Sequence, residues 1–309
     1  MMKFLSRKTA ADSENTDNTV YKKPPNLIQL FFKELRHDWL ALFALVLLVC
    51  ILLSIFIGAY IIENRHDVMR VNLQVVPVSA ADSGTILGID QLGRDQFHLL
   101  FVSARNSLTL SFAVTFFSYL LGMVVGIISG FYGGKVDNII MRITDTWSMV
   151  PFLMIVIVLL QIYGRTIVTF IIFFTLFTWL TRARLFRANA LAQRQLDYIS
   201  ASKTLGTRNI VIMFREMLPN LVDIGVANFV LTLAANIGIE TGLSMIGYGL
   251  GWEHPSLGVM LQRATNPLYL QFFPWVWAPA LILVIAIMLC VNFVGNALQR
   301  VADPKQRFI

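Results

Sequence analysis

The residues of this sequence that could perform chemistry do not form a catalytic or metal-binding set. Cys50 and Cys290 lie within long apolar runs, which is typical of small buried hydrophobic residues and not of a disulfide or metal pair. Ser244 has no histidine in any apolar run to activate it, and no H-E-x-x-H motif occurs. The four histidines are far apart and lack metal-ligand spacing: His37, His66, His98 and His254. The sequence predicts no catalytic residue and no metal site.

A phosphate-binding loop is also missing. The nearest match is Gly133-Gly134-Lys135, which is followed by Val136 and has no earlier glycine at the distance that G-x-x-x-x-G-K-[ST] requires. We therefore expect this chain to bind no cofactor. Any nucleotide chemistry must come from another subunit.

The most informative polar stretch is residues 195–220. It contains a helix-forming run over 197–205, and Gly206 is expected to stop that helix. A second helix is predicted to begin at Arg208 and to end before Pro219. Two short helices joined at a glycine, on the basic side of the chain, are typical of a lever that docks on a partner. Composition alone favours the alternative, an ordinary solvated loop between two apolar runs, because charged loops between spans are common.

The elements that must hold this segment are membrane spans. The chain is 56% hydrophobic and only 14% charged, whereas soluble proteins contain about a quarter charged residues. We predict an all-α integral membrane protein. Its six spans are placed at residues 39–62, 107–130, 146–163, 166–181, 222–247 and 275–298, each judged against the thickness of a bilayer.

The distribution of positive charge orients these spans. With both termini cytoplasmic, 19 of the 25 Lys and Arg residues fall in inside segments. The net charge of +7 is thereby explained without a nucleic-acid partner. The predicted organisation is a cytoplasmic tail (1–38) and a six-span domain (39–309). That domain has two external segments, 63–106 and 248–274, and one long cytoplasmic loop, 182–220.

Small and polar residues recur at helical spacing in two spans. In the second span they form one face that includes Gly122-x-x-x-Gly126, which lets helix backbones approach closely. The fifth span is the least apolar, and polar groups at membrane depth need a neighbour or a water-filled path. The candidates for lining a translocation path are Ser111, Thr115, Ser118, Asn228, Thr232, Asn236 and Glu240. The alternative is that a neighbouring helix satisfies each of them.

Residues 197–206, D-Y-I-S-A-S-K-T-L-G, with L-P-N at 218–220, resemble the signature loop of membrane subunits of ABC importers, in the dipeptide/oligopeptide branch. Further stretches resemble that branch in the right order. They are 87–95 (L-G-I-D-Q-L-G-R-D), 130–145 (G-F-Y-G-G…D…M-R…D), 240–249 (E-T-G-L-S-M-I-G-Y-G) and 303–304 (D-P). Ser200 departs from the pattern, since the branch most often has glutamate there.

The resemblance implies a type I importer permease in the bacterial cytoplasmic membrane. Its partners would be the lipid bilayer, a second homologous permease subunit, two ABC ATPase subunits that bind ATP and Mg, and an extracellular substrate-binding protein. The second and fifth spans would face the cargo. The implied ATPase-coupling residues are Asp197, Tyr198, Ser200, Ala201, Ser202, Lys203, Gly206, Arg208, Leu218 and Pro219.

Other classes of function stay open at this point. A secondary transporter or channel that works without ATPase subunits also fits six spans and a polar fifth helix, although no internal repeat is evident. A purely structural scaffold would not need the 195–220 segment. Within the importer branch, the cargo could be an oligopeptide, a dipeptide, nickel, glutathione or another small solute.

Overall fold

The computed structural model describes residues 31, 35–36, 38–65, 77–251 and 253–302, and these are almost entirely helical. Within them, only isolated β-bridges occur, joining Val78 to Ile89 and Ile89 to Asp95. The predicted tail 1–38 and the pair 303–304 lie almost wholly outside the described residues. The all-α expectation is confirmed.

The helices of eight or more residues are α1 (Trp39–Arg65), α2 (Gln96–Tyr132), α3 (Gly134–Ser148), α4 (Phe152–Tyr163), α5 (Ile167–Gln193), α6 (Asp197–Thr204), α7 (Leu218–Met245) and α8 (Ala278–Ala302). Shorter helical turns lie at Ala80–Ser83, Asn209–Val211, Ile212–Met217, Leu257–Leu261, Gln262–Thr265, Pro267–Phe272 and Pro274–Val276.

Among the described residues, five helical stretches are long and apolar enough to cross a membrane. They are Trp39–Arg65, Gln96–Tyr132, Ile167–Gln193, Asn209–Met245 and Ala278–Ala302. A sixth crossing requires α3 and α4 together, and these two helices meet at an angle of 74°.

The predicted third span, 146–163, is therefore wrong as a single straight helix. The chain breaks at 149–151, where Pro151 precedes the first residue of α4. Alone, the 12 residues of α4 reach only about 18 Å at 1.5 Å per residue. The residues before this break form a helix of their own, α3.

The small-residue face of α2 packs closely against α5, as the spacing predicts. A Cβ atom built on Gly126 would lie 2.5 Å from the Ala183 carbonyl oxygen and 2.8 Å from the Phe186 Cβ. One turn later, a Cβ on Gly130 would lie 2.6 Å from that of Ala190. Only glycine allows the two backbones to come this close, so the pattern fixes how α2 and α5 cross.

The other long helices complete the bundle through α7. Helix α7 packs on α8, and α8 packs on α1. Their shared core includes Ile237 from α7, Ile287 from α8 and Leu257 from the segment between them, each fully buried. Large apolar side chains on the outer face of α1, such as Phe43, stay exposed, as expected where lipid replaces water.

We expect Gly126→Ala to lower the thermal stability of the purified chain, because the added methyl group meets backbone and Cβ atoms of α5. Overpacking of this kind costs about 1–3 kcal/mol. The matched control is Gly242→Ala, since a Cβ there has no neighbour within 4 Å. A detergent-melting experiment in which both variants unfold at the same temperature would contradict the close α2–α5 contact.

Candidate functional site

The 195–220 segment begins with α6, and a left-handed glycine ends that helix. Gly206 has φ 79°. The Gly206 N–H donates to the Lys203 carbonyl at 3.0 Å, and the Thr207 N–H donates to the Ser202 carbonyl at 3.1 Å. This pair of bonds is a Schellman motif, so the predicted stop at Gly206 is confirmed.

The second half of the segment differs from the prediction. A helix restarts at Asn209, just after Arg208, but it does not end before Pro219. It passes through a π-helical turn, Ile212–Met217, and continues as α7. In the π turn the Leu218 N–H donates to the Met213 carbonyl, five residues back. Pro219, which has no N–H, then falls in the first turn of α7, where a missing donor costs little.

Buried side chains anchor the segment to the bundle. Ile199 is fully buried, together with Ile212 and Met217 of the π turn, against Phe131 of α2 and Phe186 of α5. A side chain of this size buried in a packed core contributes about 2–5 kcal/mol by comparison with alanine. The segment is thus a fixed part of the bundle and not a free loop.

Two polar contacts add to this anchoring. The Asn220 amide donates to the Tyr198 hydroxyl at 3.2 Å, which joins the two ends of the segment. The Lys203 ammonium lies 4.7 Å from the centre of the Phe131 ring. Partial burial lowers the pKa of Lys203, and the Arg194 guanidinium lowers it further.

The 195–220 segment has exposed apolar side chains on its outer surface. Leu205, next to the Schellman glycine, is 84% exposed, and Ile210 is 65% exposed. Of the ten predicted coupling residues, Ser202 and Leu218 are half-buried, and the rest are exposed on the same end of the bundle: Asp197, Tyr198, Ser200, Ala201, Lys203, Gly206, Arg208 and Pro219. Exposed leucine beside fixed basic groups is typical of a docking surface.

Ion pairs join α3 to α5, the helix that leads into the 195–220 segment. The Asp137 carboxylate accepts from the Ser129 hydroxyl and from the Arg187 guanidinium, at 2.5 and 2.6 Å to its two oxygens for Arg187. Asp145 accepts from Arg184 at 2.9 Å. In the sequence, the two aspartates occur only within the 130–145 resemblance, and no local pattern encodes a contact with arginines so distant in the chain.

The predicted path residues meet at the interface of α2 with α7. The Asn236 amide donates to the Thr115 hydroxyl at 2.8 Å. The Tyr119 and Thr232 hydroxyls lie 3.1 Å apart. Ser111, Ser118 and Glu240 are also fully buried, whereas Asn228 is half-buried. The structure therefore places six of the seven inside the chain, and three of these, Thr115, Thr232 and Asn236, hydrogen-bond across the interface of α2 with α7.

Glu240 belongs to a buried polar cluster at the end of α7. Its carboxylate accepts from the Ser244 hydroxyl at 2.9 Å. Nearby, the Leu257 N–H donates to the Ser107 hydroxyl at 3.0 Å, which ties the next segment to α2. A Cβ on Gly258 would lie 2.6 Å from the Thr241 carbonyl oxygen. These contacts explain why acidic, hydroxyl and glycine residues recur in the 240–249 run and just beyond it.

The 87–95 stretch forms a turn that leads into α2. Its core is a buried ion pair in which Arg94 donates to Asp90 at 2.7 and 2.9 Å. Gly88 and Gly93 have positive φ, at 86° and 74°. Asp95 caps α2 by accepting from the Phe97 N–H at 2.8 Å.

Residues 122–308 match the family described as "Binding-protein-dependent transport system inner membrane component". The match covers α3 to α8 and the whole 195–220 segment. The chain belongs to this family. It is a membrane-spanning permease component of an ABC importer in the inner membrane, and permeases of this kind work with ATPase and substrate-binding partners.

Named relatives agree with this assignment. The chain is 39% identical to the oligopeptide transport system permease protein OppC of Lactococcus lactis subsp. cremoris, over 93% of this chain and 97% of that protein. It is 31% identical to the dipeptide transport system permease protein DppC of Bacillus subtilis, over 95% and 91% of the two chains.

A solved structure shows the same fold. A chain of the MetNI methionine ABC transporter, in an inward-facing conformation, superposes with a TM-score of 0.52 at 22% identity. The match covers 67% of this permease and 97% of that chain. The architecture is therefore that of an ABC importer permease.

We expect Asp137→Asn to destabilise the permease more than Asp145→Asn. The Asp137 side chain is only 9% exposed, and its loss leaves Arg187 half-buried without a counter-charge. The cost should be about 2 kcal/mol, below that of a fully buried pair. Asp145 is 59% exposed, so the control should lose less than about 1 kcal/mol. Equal melting temperatures for the two variants would show that the Asp137–Arg187 pair is not a structural support.

Proposed function

We propose that this permease translocates peptides across the cytoplasmic membrane, driven by ATP hydrolysis on partner subunits. The relatives named for oligopeptide and dipeptide transport, at 39% and 31% identity over nearly the full chain, support this cargo class. The observation that carries the mechanism is the 195–220 segment, which is anchored to two spans and exposes Leu205.

The proposed assembly contains this chain, a second homologous permease, two ABC ATPases and an extracellular binding protein. ATP and Mg bind the ATPases, and this chain performs no catalysis. Both termini and the 195–220 segment face the cytoplasm, while 63–106 and 248–274 face the binding protein. The positive charge concentrated on the cytoplasmic side supports this orientation.

Coupling follows from how the segment is attached. When the ATPases close, they displace α6 and the turn at Gly206. The displacement reaches α7 through one unbroken helix, Asn209–Met245, and reaches α2 and α5 through Ile199 and its apolar neighbours. Because both routes are packed and hydrogen-bonded, the bundle moves with the segment and switches between its two access states. The buried polar residues of α2 and α7 lie at the interface of these two helices, where this motion would slide one helix past the other.

We expect Leu205→Ala to weaken ATPase binding without destabilising the permease. Truncation of a fully exposed leucine changes stability by less than about 0.5 kcal/mol, whereas loss of an interface anchor costs about 2 kcal/mol of binding. Ile86→Ala is the control, because Ile86 is 69% exposed at the opposite end. Co-purification of ATPase subunits with each variant measures the effect. Equal recovery with both variants would remove Leu205 from the interface.

We expect Gly206→Pro to leave membrane insertion intact and to uncouple ATP hydrolysis from uptake, because proline cannot adopt φ 79°. Gly206→Ala strains the same turn by about 1 kcal/mol and should reduce uptake less. Gly134→Ala is the control, since Gly134 has φ 51° and no neighbour to its Cβ within 4 Å.

The measurement is peptide uptake against ATPase activity in vesicles that contain the co-purified complex. Unchanged uptake by Gly206→Pro would contradict the coupling role. Recovery of the chain alone, with solute flux that does not need ATP, would instead support a secondary transporter or channel.

A further inference from the structure

A cavity of about 400 Å³ opens at the end of the bundle opposite the 195–220 segment. It lies between the turn before α5, the end of α7 and the Leu257–Leu261 helix. Its wall includes Arg165, Ser244, Val259, Gln262 and Arg263. The volume is within the range of small-ligand sites.

The cavity wall is cationic. Two guanidinium groups line it, those of Arg165 and Arg263, and none of its lining residues in the described part of the chain is a carboxylate. Burial lowers the pKa of Arg263, the Arg94 guanidinium lowers it further, and the Asp90 carboxylate raises it. Asp90 also accepts two hydrogen bonds from Arg94. An anion in the cavity would meet two guanidinium groups there.

Both guanidinium groups are held in place before any ligand arrives. Arg165 donates to the Gly247 carbonyl at 2.7 Å and to the Gln161 amide oxygen at 3.2 Å. When the Gln91 amide is oriented to satisfy both of its neighbours, its oxygen accepts from Arg263 and its NH2 group donates to the Tyr269 hydroxyl at 3.1 Å. An arginine has five N–H donors, so these bonds leave donors for a further acceptor. Preset orientation lowers the entropy that binding costs.

We propose that this cavity binds the C-terminal carboxylate of a peptide, a role that rests on the peptide import proposed above. Guanidinium groups match the planar carboxylate in charge and geometry. The position of the cavity also favours a transported peptide as its ligand. Ser244 lines the cavity and donates to Glu240, so the cavity adjoins the buried polar residues of α7. A lipid phosphate is the competing anion, and the test below separates the two.

The first arm measures the electrostatic potential of the cavity without requiring transport. Val259→Cys is made in a Cys50→Ser, Cys290→Ala background, and the full chain in nanodiscs is labelled with an anionic and a cationic methanethiosulfonate reagent. The anionic-to-cationic rate ratio should exceed that of Ile86→Cys by roughly tenfold. Arg165→Gln and Arg263→Gln should each lower the ratio, and Arg165→Lys should restore it. A ratio equal to the Ile86→Cys reference would overturn the proposal.

The second arm uses the assembled importer and two probes, Ala-Ala-Ala and its C-terminal amide. The free acid should slow labelling of Val259→Cys at least threefold, and the amide should have no effect. Equal protection by both peptides overturns the carboxylate assignment. Protection that appears only when phosphatidylglycerol replaces phosphatidylcholine, whatever the peptide, overturns it in favour of a lipid phosphate.

The two proposals fail in different ways. If the importer takes up neither peptide although the anionic-to-cationic ratio is high, peptide import is wrong and the cavity is still an anion site. If uptake of the free acid is robust but acid and amide protect alike, peptide import stands and the carboxylate site does not. Lys135→Gln is the control for uptake, since Lys135 is exposed at the opposite end of the bundle, away from the cavity.

Discussion

The close contact between α2 and α5 is the constraint on which the rest of this permease depends. In a bilayer, apolar surface gains little by pairing with other apolar surface, so helices associate where their backbones can approach and their polar groups can pair. The glycines of α2 provide that approach. The arginines of α5 then pair with Asp137 and Asp145 on α3. The buried Ile199 of α6 packs on α2 and α5. Without this contact, neither the bent α3–α4 pair nor the 195–220 segment would have a fixed position.

Local patterns in the sequence predicted local features well. Small residues at steps of three and four correctly marked the packed face of α2, because helical periodicity alone decides which side chains share a face. Gly206 was correctly placed at a helix end, because a left-handed conformation is accessible to glycine at little cost.

The failures occurred where distant or competing interactions decide the outcome. Pro219 was expected to end a helix, yet the preceding π turn leaves its missing N–H without consequence. The apolar run 146–163 indicated one straight span, because composition does not show that the chain bends at Pro151. Arg165 and Arg263 share a cavity wall although they are far apart in sequence, and neither has a local motif. The role of the path residues stays a prediction, because polarity alone does not distinguish a pore lining from an interface between helices.

The π turn at Ile212–Met217 has a geometric consequence of its own. Its hydrogen bonds join residues five apart, whereas those of an α-helix join residues four apart, so the π turn contains one additional residue. Each residue of an α-helix rotates the chain by about 100°. The angular position of the exposed Leu205 about the axis of α7 is therefore set by a single residue of register. A permease with the same exposed side chains but an α-helical turn at 212–217 would present those side chains to its partner in a different direction. The backbone hydrogen bonding of this turn therefore sets the direction of the docking surface.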